Sequence, residues 1–378
     1  MQIEQTQWSP SAGWQPKPPG RLGQSANLLL MFGGTSLFKE GRYFQQIAQT
    51  YPNAHILGCS TAGEICGAQV SDDSLVVTAI HFEHTQVKVA HTCVDKNRDS
   101  CAAGEYLAKT LAGDDLAHVF VLSDGLNVNG CDLVKGIIRY LPDTVTVTGG
   151  LSGDGSRFQE TLVLLNGDVS SDSVAAVAFY GDTLKVGYGS LGGWDAFGPE
   201  CLITHSEDNV LYKLDGQPAL TVYKKYIGEH AAGLPATGLL FPLSLRTPEM
   251  DTPVLRTLLA VDEDKQSLTF AGNIPMGAHA QLMKANLDRL VDGAVGAAKT
   301  SCDALGDSAP DLAILISCVG RKMVLKQRIE EEVEGVRNVF GDSAALTGFY
   351  SYGEISPFAP NAKCALHNQT MTITTLSE

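Results

Sequence analysis

Apolar residues along this chain come in short runs closed by glycine or serine, and these alternate with stretches of helical period. Asn27–Phe32 ends at Gly33-Gly34, Ala54–Cys59 at Ser60, His118–Leu122 at Ser123-Asp124-Gly125 and Thr144–Thr148 at Gly149-Gly150. Asp311–Ser317 ends at Cys318, and Leu346–Tyr352 at Gly353. Apolar runs this short between turn formers read as buried strands. Lys39–Thr50, Cys101–Leu111, Cys131–Tyr140, Ala280–Ser301 and Lys326–Val336 read as helices. In the last of these Leu325, Ile329, Val333 and Val336 share a face, with Glu330, Glu331 and Glu334 off it. Ser100 is placed to N-cap the second helix, and Pro142 stops the third. Ser74–Phe82 and Gln86–His91 read as a hairpin. Gln159–Leu165, Ser173–Tyr180, Thr183–Tyr188, Lys363–Leu366 and Thr370–Leu376 complete the strands.

This order predicts an α/β fold of mixed-sheet sandwich units rather than a plain doubly wound sheet, because hairpins accompany the helical crossovers. It also repeats. VFVLSDG corresponds to ILISCVG, TVTVTGGLSGDG to ALTGFYSYGEI, and TLVLLNGD…SVAAVAF to KCALHNQTMTITTL. The expectation is a duplicated unit around a shared cleft, a favoured place for a ligand. Residues 1–24, rich in proline, glycine and glutamine, read as an irregular arm, and about 186–255 as a segment that connects and covers the units.

Composition narrows the function. The 378 residues carry 27 basic and 42 acidic side chains, a net charge of −15, which repels nucleic acid and anionic lipid. No apolar run approaches the ~20 residues of a membrane span, and no signal peptide is visible at the N-terminus. Nine scattered cysteines without a C-x-x-C fit buried thiols in a reducing cytoplasm. The 39 glycines cluster at strand ends, as tight turns do.

Nucleotide motifs fail on inspection. Gly58-Cys-Ser-Thr-Ala-Gly63 has P-loop glycine spacing, but Glu64 and Ile65 stand where Lys and Ser/Thr are needed. Gly149–Gly155 lacks the dinucleotide register and leads into a strand. No G-x-S-x-G elbow or H-E-x-x-H helix occurs.

Gly58-Cys-Ser-Thr-Ala-Gly-Glu-Ile65 resembles the signature of the FIST N-terminal domain. Gly348–Pro357 and His367-Asn-Gln-Thr370 resemble the FIST C-terminal domain, with Gly193–Gly198, Leu214–Ala219, Phe241–Leu243 and Cys318–Arg321 between them in order. The resemblance implies FIST N over 25–215, FIST C over 216–378, and a cytoplasmic sensory protein rather than an enzyme. Its most concrete form is the branch often called NosP, which binds haem b, senses nitric oxide and acts on a histidine kinase or a cyclic-di-GMP enzyme. The alternative is a sensor for an amino acid or other small metabolite without haem. A second alternative is an enzyme using Cys59 or Cys318 as nucleophile at a strand end.

The residues nominated for the cleft are Ser60, Glu64, Arg321, Tyr350, Tyr352 and Glu354. Glu64 and Glu354 follow glycine in related turns, Arg321 can clamp a carboxylate, and the tyrosines can form aromatic walls. His230, among Tyr223, Tyr226, Leu234 and Phe241, is the first candidate for a haem ligand, and His367 the second.

Overall fold

A computed structural model describes residues 1–94, 99–248, 252–306, 308–358 and 362–378. Its first unit runs β1 (Gln2–Ser9), β2 (Gly13–Gln15), β3 (Leu28–Gly33), α1 (Thr35–Glu40), α2 (Arg42–Thr50), β4 (His55–Ser60), β5 (Glu64–Cys66), β6 (Gln69–Ser71) and β7 (Leu75–His81). The second runs β8 (Gln86–Cys93), α3 (Ser100–Leu111), β9 (Leu116–Ser123), α4 (Gly130–Ile138), β10 (Thr146–Leu151), β11 (Val163–Leu165), β12 (Asp168–Ser170) and β13 (Ser173–Tyr180). The third opens with β14 (Lys185–Leu191) and is interrupted by an inserted β domain. That domain holds β15 (Asp195–Glu207), β16 (Val210–Leu214), β17 (Gln217–Pro218), α5 (Ala219–Ile227), β18 (Leu243–Arg246), β19 (Val254–Arg256), β20 (Leu258–Asp262), β21 (Ser267–Phe270) and β22 (His279–Lys284). The third unit resumes with α6 (Leu287–Ala304), β23 (Leu312–Cys318), α7 (Val319–Leu325), α8 (Ile329–Phe340), β24 (Ala345–Ser351), β25 (Gly353–Pro357), β26 (Cys364–His367) and β27 (Met371–Ser377).

Mixed sheets within an α/β fold are as expected, but the repeat occurs three times. In each unit a parallel pair (β3–β4, β9–β10, β23–β24) is flanked by an antiparallel strand (β7, β13, β27) and an outer one (β1, β8, β14). Each unit lends its hairpin to a neighbour. β5–β6 pairs with β24, β11–β12 with β4, and β25–β26 with β10. The register is the same each time: Gly348 faces Ile65, Gly58 faces Leu164, and Gly149 faces Ile355. The inner faces meet in one core, with Leu30, Phe120 and Ile314 at matching positions of β3, β9 and β23. The helices cover the outer faces, α1 and α2 on the first sheet and α3, α4, α6 and α8 on the others.

Several expectations are corrected. Residues 1–24 are not an irregular arm: β1 runs antiparallel to β7 from Gln2↔His81 to Trp8↔Leu75. Its two buried positions, Glu4 and Thr6, are polar, so no apolar alternation announces it. The Glu4 carboxylate instead accepts the backbone N–H groups of Gly20, Arg21 and Leu22. Ser74–Phe82 and Gln86–His91 are not a hairpin, since β7 and β8 enter different sheets. The turn between them is held by the Glu378 carboxylate, which accepts N–H bonds from Glu83, His84 and Thr85. Gly41, at φ 66°, splits the first helix into α1 and α2. Asp99, not Ser100, caps α3 by accepting the Ala102 N–H at 2.8 Å. Residues 279–284 alternate in burial and form β22, so α6 starts only after the Asn286 cap. Of the segment about 186–255, the first residues form β14 of the third unit, and from Asp195 onward the chain enters a folded β domain with its own core around Tyr223, Phe241 and Phe270.

Candidate functional site

The loops that follow β9 and β23 occupy matching places at the carboxyl ends of parallel strands, where α/β folds open crevices. The first, Gly125–Gly130, leads into α4, with Asn129 capping that helix through bonds from the Cys131 and Asp132 N–H groups. The second, Cys318–Gly320, begins α7. The inserted domain closes over both loops, and a cavity of about 890 Å³ lies between them. The insert is tied down beside it by Arg256, which is buried and donates to the carbonyls of Asn273, Leu255 and Leu366. Asn129 Nδ2 also donates to Asn273 Oδ1 at 2.9 Å.

Of the nominated residues, Tyr352 and Cys318 line this cavity. The Tyr352 hydroxyl donates to Asp154, and its ring stacks on Phe158 at 4.5 Å. Asp154 in turn accepts N–H bonds from Phe158, Gln159 and Glu160, which curls residues 154–160 into a loop and leaves only 163–165 of the expected 159–165 strand. The Cys318 thiol is 3% exposed, and burial together with Glu354 pushes its pKa far up. Cys59 is wholly buried and shifted the same way by desolvation and Glu64. Neither thiol is held as the thiolate that nucleophilic attack requires.

The others lie away from the cavity wall. Arg321 is fully buried, and every guanidinium nitrogen is taken. Nε and Nη2 donate to Glu332 Oε2 at 3.1 and 2.7 Å, Nη1 to the Gly192 carbonyl, and Nη2 also to the Leu290 carbonyl. It fastens α7, α8 and α6 together and has no donor left for a ligand carboxylate. Tyr350 is buried behind it and donates to Glu332 Oε1 at 2.8 Å. Ser60 Oγ accepts the Leu162 N–H at 2.8 Å and fixes a hairpin exchange.

Glu64 and Glu354 are equivalent residues in two of the exchanged hairpins. Glu64 accepts from the Thr61 hydroxyl and from the Ser74 N–H and hydroxyl. Glu354 accepts from the Ser351 hydroxyl and from the Thr370 N–H and hydroxyl. At the third hairpin Val163 stands in that place, opposite Cys59 as Glu64 is opposite Phe349. Burial pushes both carboxyls up to about 7, against the pull of those hydrogen bonds.

Neither histidine faces the cavity. His230 is exposed on a short 3₁₀ segment, its ring 5.1 Å from Phe241. His367 is buried, and its Nε2 donates to the Ser356 carbonyl at 2.9 Å. Burial lowers its pKa to about 4, so the ring is neutral. Haem held by either residue does not fit this cavity, since no histidine lines it among the described residues. No lysine or arginine lines it either, so it has no cation for haem propionates.

The cavity also gathers residues that were not nominated. Asp132 and Asn129 come from the loop and helix after β9, where the Asn127-Val-Asn-Gly-Cys-Asp132 string, dense in loop and cap formers, was a visible signal. Thr257, Asp208 and Phe270 come from the inserted domain, and no local pattern marks them. The Thr257 side-chain oxygen is buried without a hydrogen-bond partner, and the same holds for both polar atoms of Gln369, whose amide lies under Gly320.

Comparison with known proteins gives a consistent family. The FIST N domain matches residues 27–217 and the FIST C domain residues 219–357. An uncharacterized protein of Methanocaldococcus jannaschii is 23% identical over 351 residues, covering 84% of this chain. The chain spans 65% of that relative's length. Among solved structures, a chorismatase superposes with a TM-score of 0.37 at 10% identity, covering 100% of this chain and 98% of its own. A cyanuric acid hydrolase from A. caulinodans does so with 0.19 at 12% identity, covering 78% and 99%. Neither score assigns a chemistry to this chain.

Proposed function

The chain belongs to the FIST family, and from that premise we propose that it is a sensory protein that takes a non-haem small molecule into the cavity between the β9 and β23 loops and the inserted domain. FIST domains are signal-transduction modules that bind small ligands. The observation that carries the reading is the cavity itself: about 890 Å³ is in the range of small-molecule sites, and it lies where two repeated units and an inserted domain meet. Occupancy is passed to a separate partner, with a histidine kinase or a cyclic-di-GMP enzyme as the proposed class. Phe158, Leu259 and Met323 support this, because they line the cavity and are also exposed, so a partner can touch residues that touch the ligand.

Ala271→Trp places an indole in the cavity. In a thermal-shift screen of small metabolites, a stabilising compound loses its effect in this variant if it binds there. Equal shifts in the wild type and Ala271→Trp overturn the placement. Expression with haem supply separates the haem form. A Soret band that moves with nitric oxide replaces the non-haem reading, and a protein that stays colourless supports it.

A further inference from the structure

The chemistry of the cavity wall narrows the ligand. Two carboxylates, Asp132 and Asp208, line it, and among the described residues no lysine, arginine or histidine does. Neither carboxylate is ion-paired within the described residues. The rest of the wall is largely apolar, with two aromatic rings, the stacked Phe158 and Tyr352, on the core side. Thr257 is 5% exposed, lines the same space, and its hydroxyl oxygen has no partner. A buried hydroxyl left unpaired costs free energy, so a donor arriving with a ligand is favoured there.

An anionic ligand entering this space would be stripped of water and set near two like charges with no cation on the wall, since the guanidinium of Arg256, behind Gly272, is turned to the carbonyls of Asn273, Leu255 and Leu366. An organic cation meets the opposite situation. Its charge is matched by the aspartates, its N–H can donate to the Thr257 oxygen, and its apolar body can lie on aromatic faces that attract cations. We propose that the cavity binds an organic ammonium or amidinium compound with an apolar body, its charged end held by Asp132, Asp208 and the Thr257 hydroxyl. This inference rests on the cavity being the ligand site and adds the ligand's charge class.

Three probes of the same shape decide it: tryptamine, tryptophol and indole-3-acetate, titrated calorimetrically into the full chain at neutral pH. Tryptamine is expected to bind about fivefold or more tightly than tryptophol, the scale of a partly exposed ion pair, and indole-3-acetate more weakly than both. Asp132→Asn combined with Asp208→Asn brings tryptamine to the tryptophol level and leaves tryptophol unchanged. Thr257→Val weakens tryptamine more than indole-3-acetate. If tryptophol binds, is lost in Ala271→Trp, and tryptamine has no advantage over it, the charge class is overturned while the cavity stands. If no probe binds, or binding is insensitive to Ala271→Trp, the cavity reading falls and the charge class with it.

Discussion

At the scale of single residues, the paired glutamates set a pH dependence that can be worked out. Glu64 and Glu354 hold their protons up to about pH 7 in the folded chain, against 4.5 when unfolded, because burial disfavours the charged form. Between those values the folded state keeps protons that the unfolded state has released. Stability therefore falls as pH rises through the window, and the loss is complete above it. His118 and His367 act in the opposite sense. Burial lowers them to about 3 and about 4, so below 6.5 the unfolded state takes up protons and stability falls as pH drops. The windows overlap, and a wild-type curve alone mixes the two effects. Glu354→Gln separates them. The stability difference between wild type and variant should shrink by up to about 3 kcal/mol from about pH 5 to about pH 7.5, at 1.36 kcal/mol per unit. Urea midpoints across that range measure it, and a difference that stays constant with pH would refute the buried-proton account.

Individual elements show how the threefold order is enforced. Gly58, Gly149 and Gly348 take the same place on the second parallel strand of each unit. A Cβ there would sit 2.3, 1.9 and 1.8 Å from the carbonyl oxygens of Met31, Val121 and Leu315 on the first strand. Gly348→Ala must push β24 from β23, at an expected cost of about 2 kcal/mol from overpacking. A denaturation midpoint unchanged in Gly348→Ala would show that the strands tolerate the gap. The same glycines explain what could be read from the sequence. The second and third units were recognisable as repeats because both place a helix before the first parallel strand, α3 and α6. The first unit has β2 and a proline-rich crossing there instead, and its β1 buries Glu4 and Thr6, so hydrophobic periodicity passed over it. Half of the candidate site was legible for a related reason. Tyr352 and Cys318 sit at strand ends marked by Gly and Ser, whereas Thr257 and Asp208 reach the cavity only through the docking of the inserted domain. Arg321 looked available in sequence because its partner Glu332 lies in the next helix.

For the whole molecule, the exchanged hairpins mean that the FIST N and FIST C halves share sheets rather than abut. β5 from the first half completes the sheet of β24, and β14 pairs along its length with β27, from Lys185↔Ser377 to Leu191↔Met371. In return, β25 from the second half pairs with β10. Cutting the chain between residues 215 and 216 breaks all three pairings and exposes edges of β5, β10, β24, β25 and β27, strands whose side chains are mostly buried in the intact protein. Unpaired edges of that kind template aggregation. Residues 1–215 and 216–378 expressed apart should therefore be insoluble or lack stable tertiary structure, while co-expression restores a soluble complex. The intact chain should unfold in one transition across its core, since no sheet can melt without exposing a hairpin of its neighbour. Soluble yield and dispersed amide resonances are the measurements. A well-ordered 1–215 fragment on its own would show that the exchange of hairpins decorates two independent domains, and the cavity between the second and third units would then be free to open as those domains part.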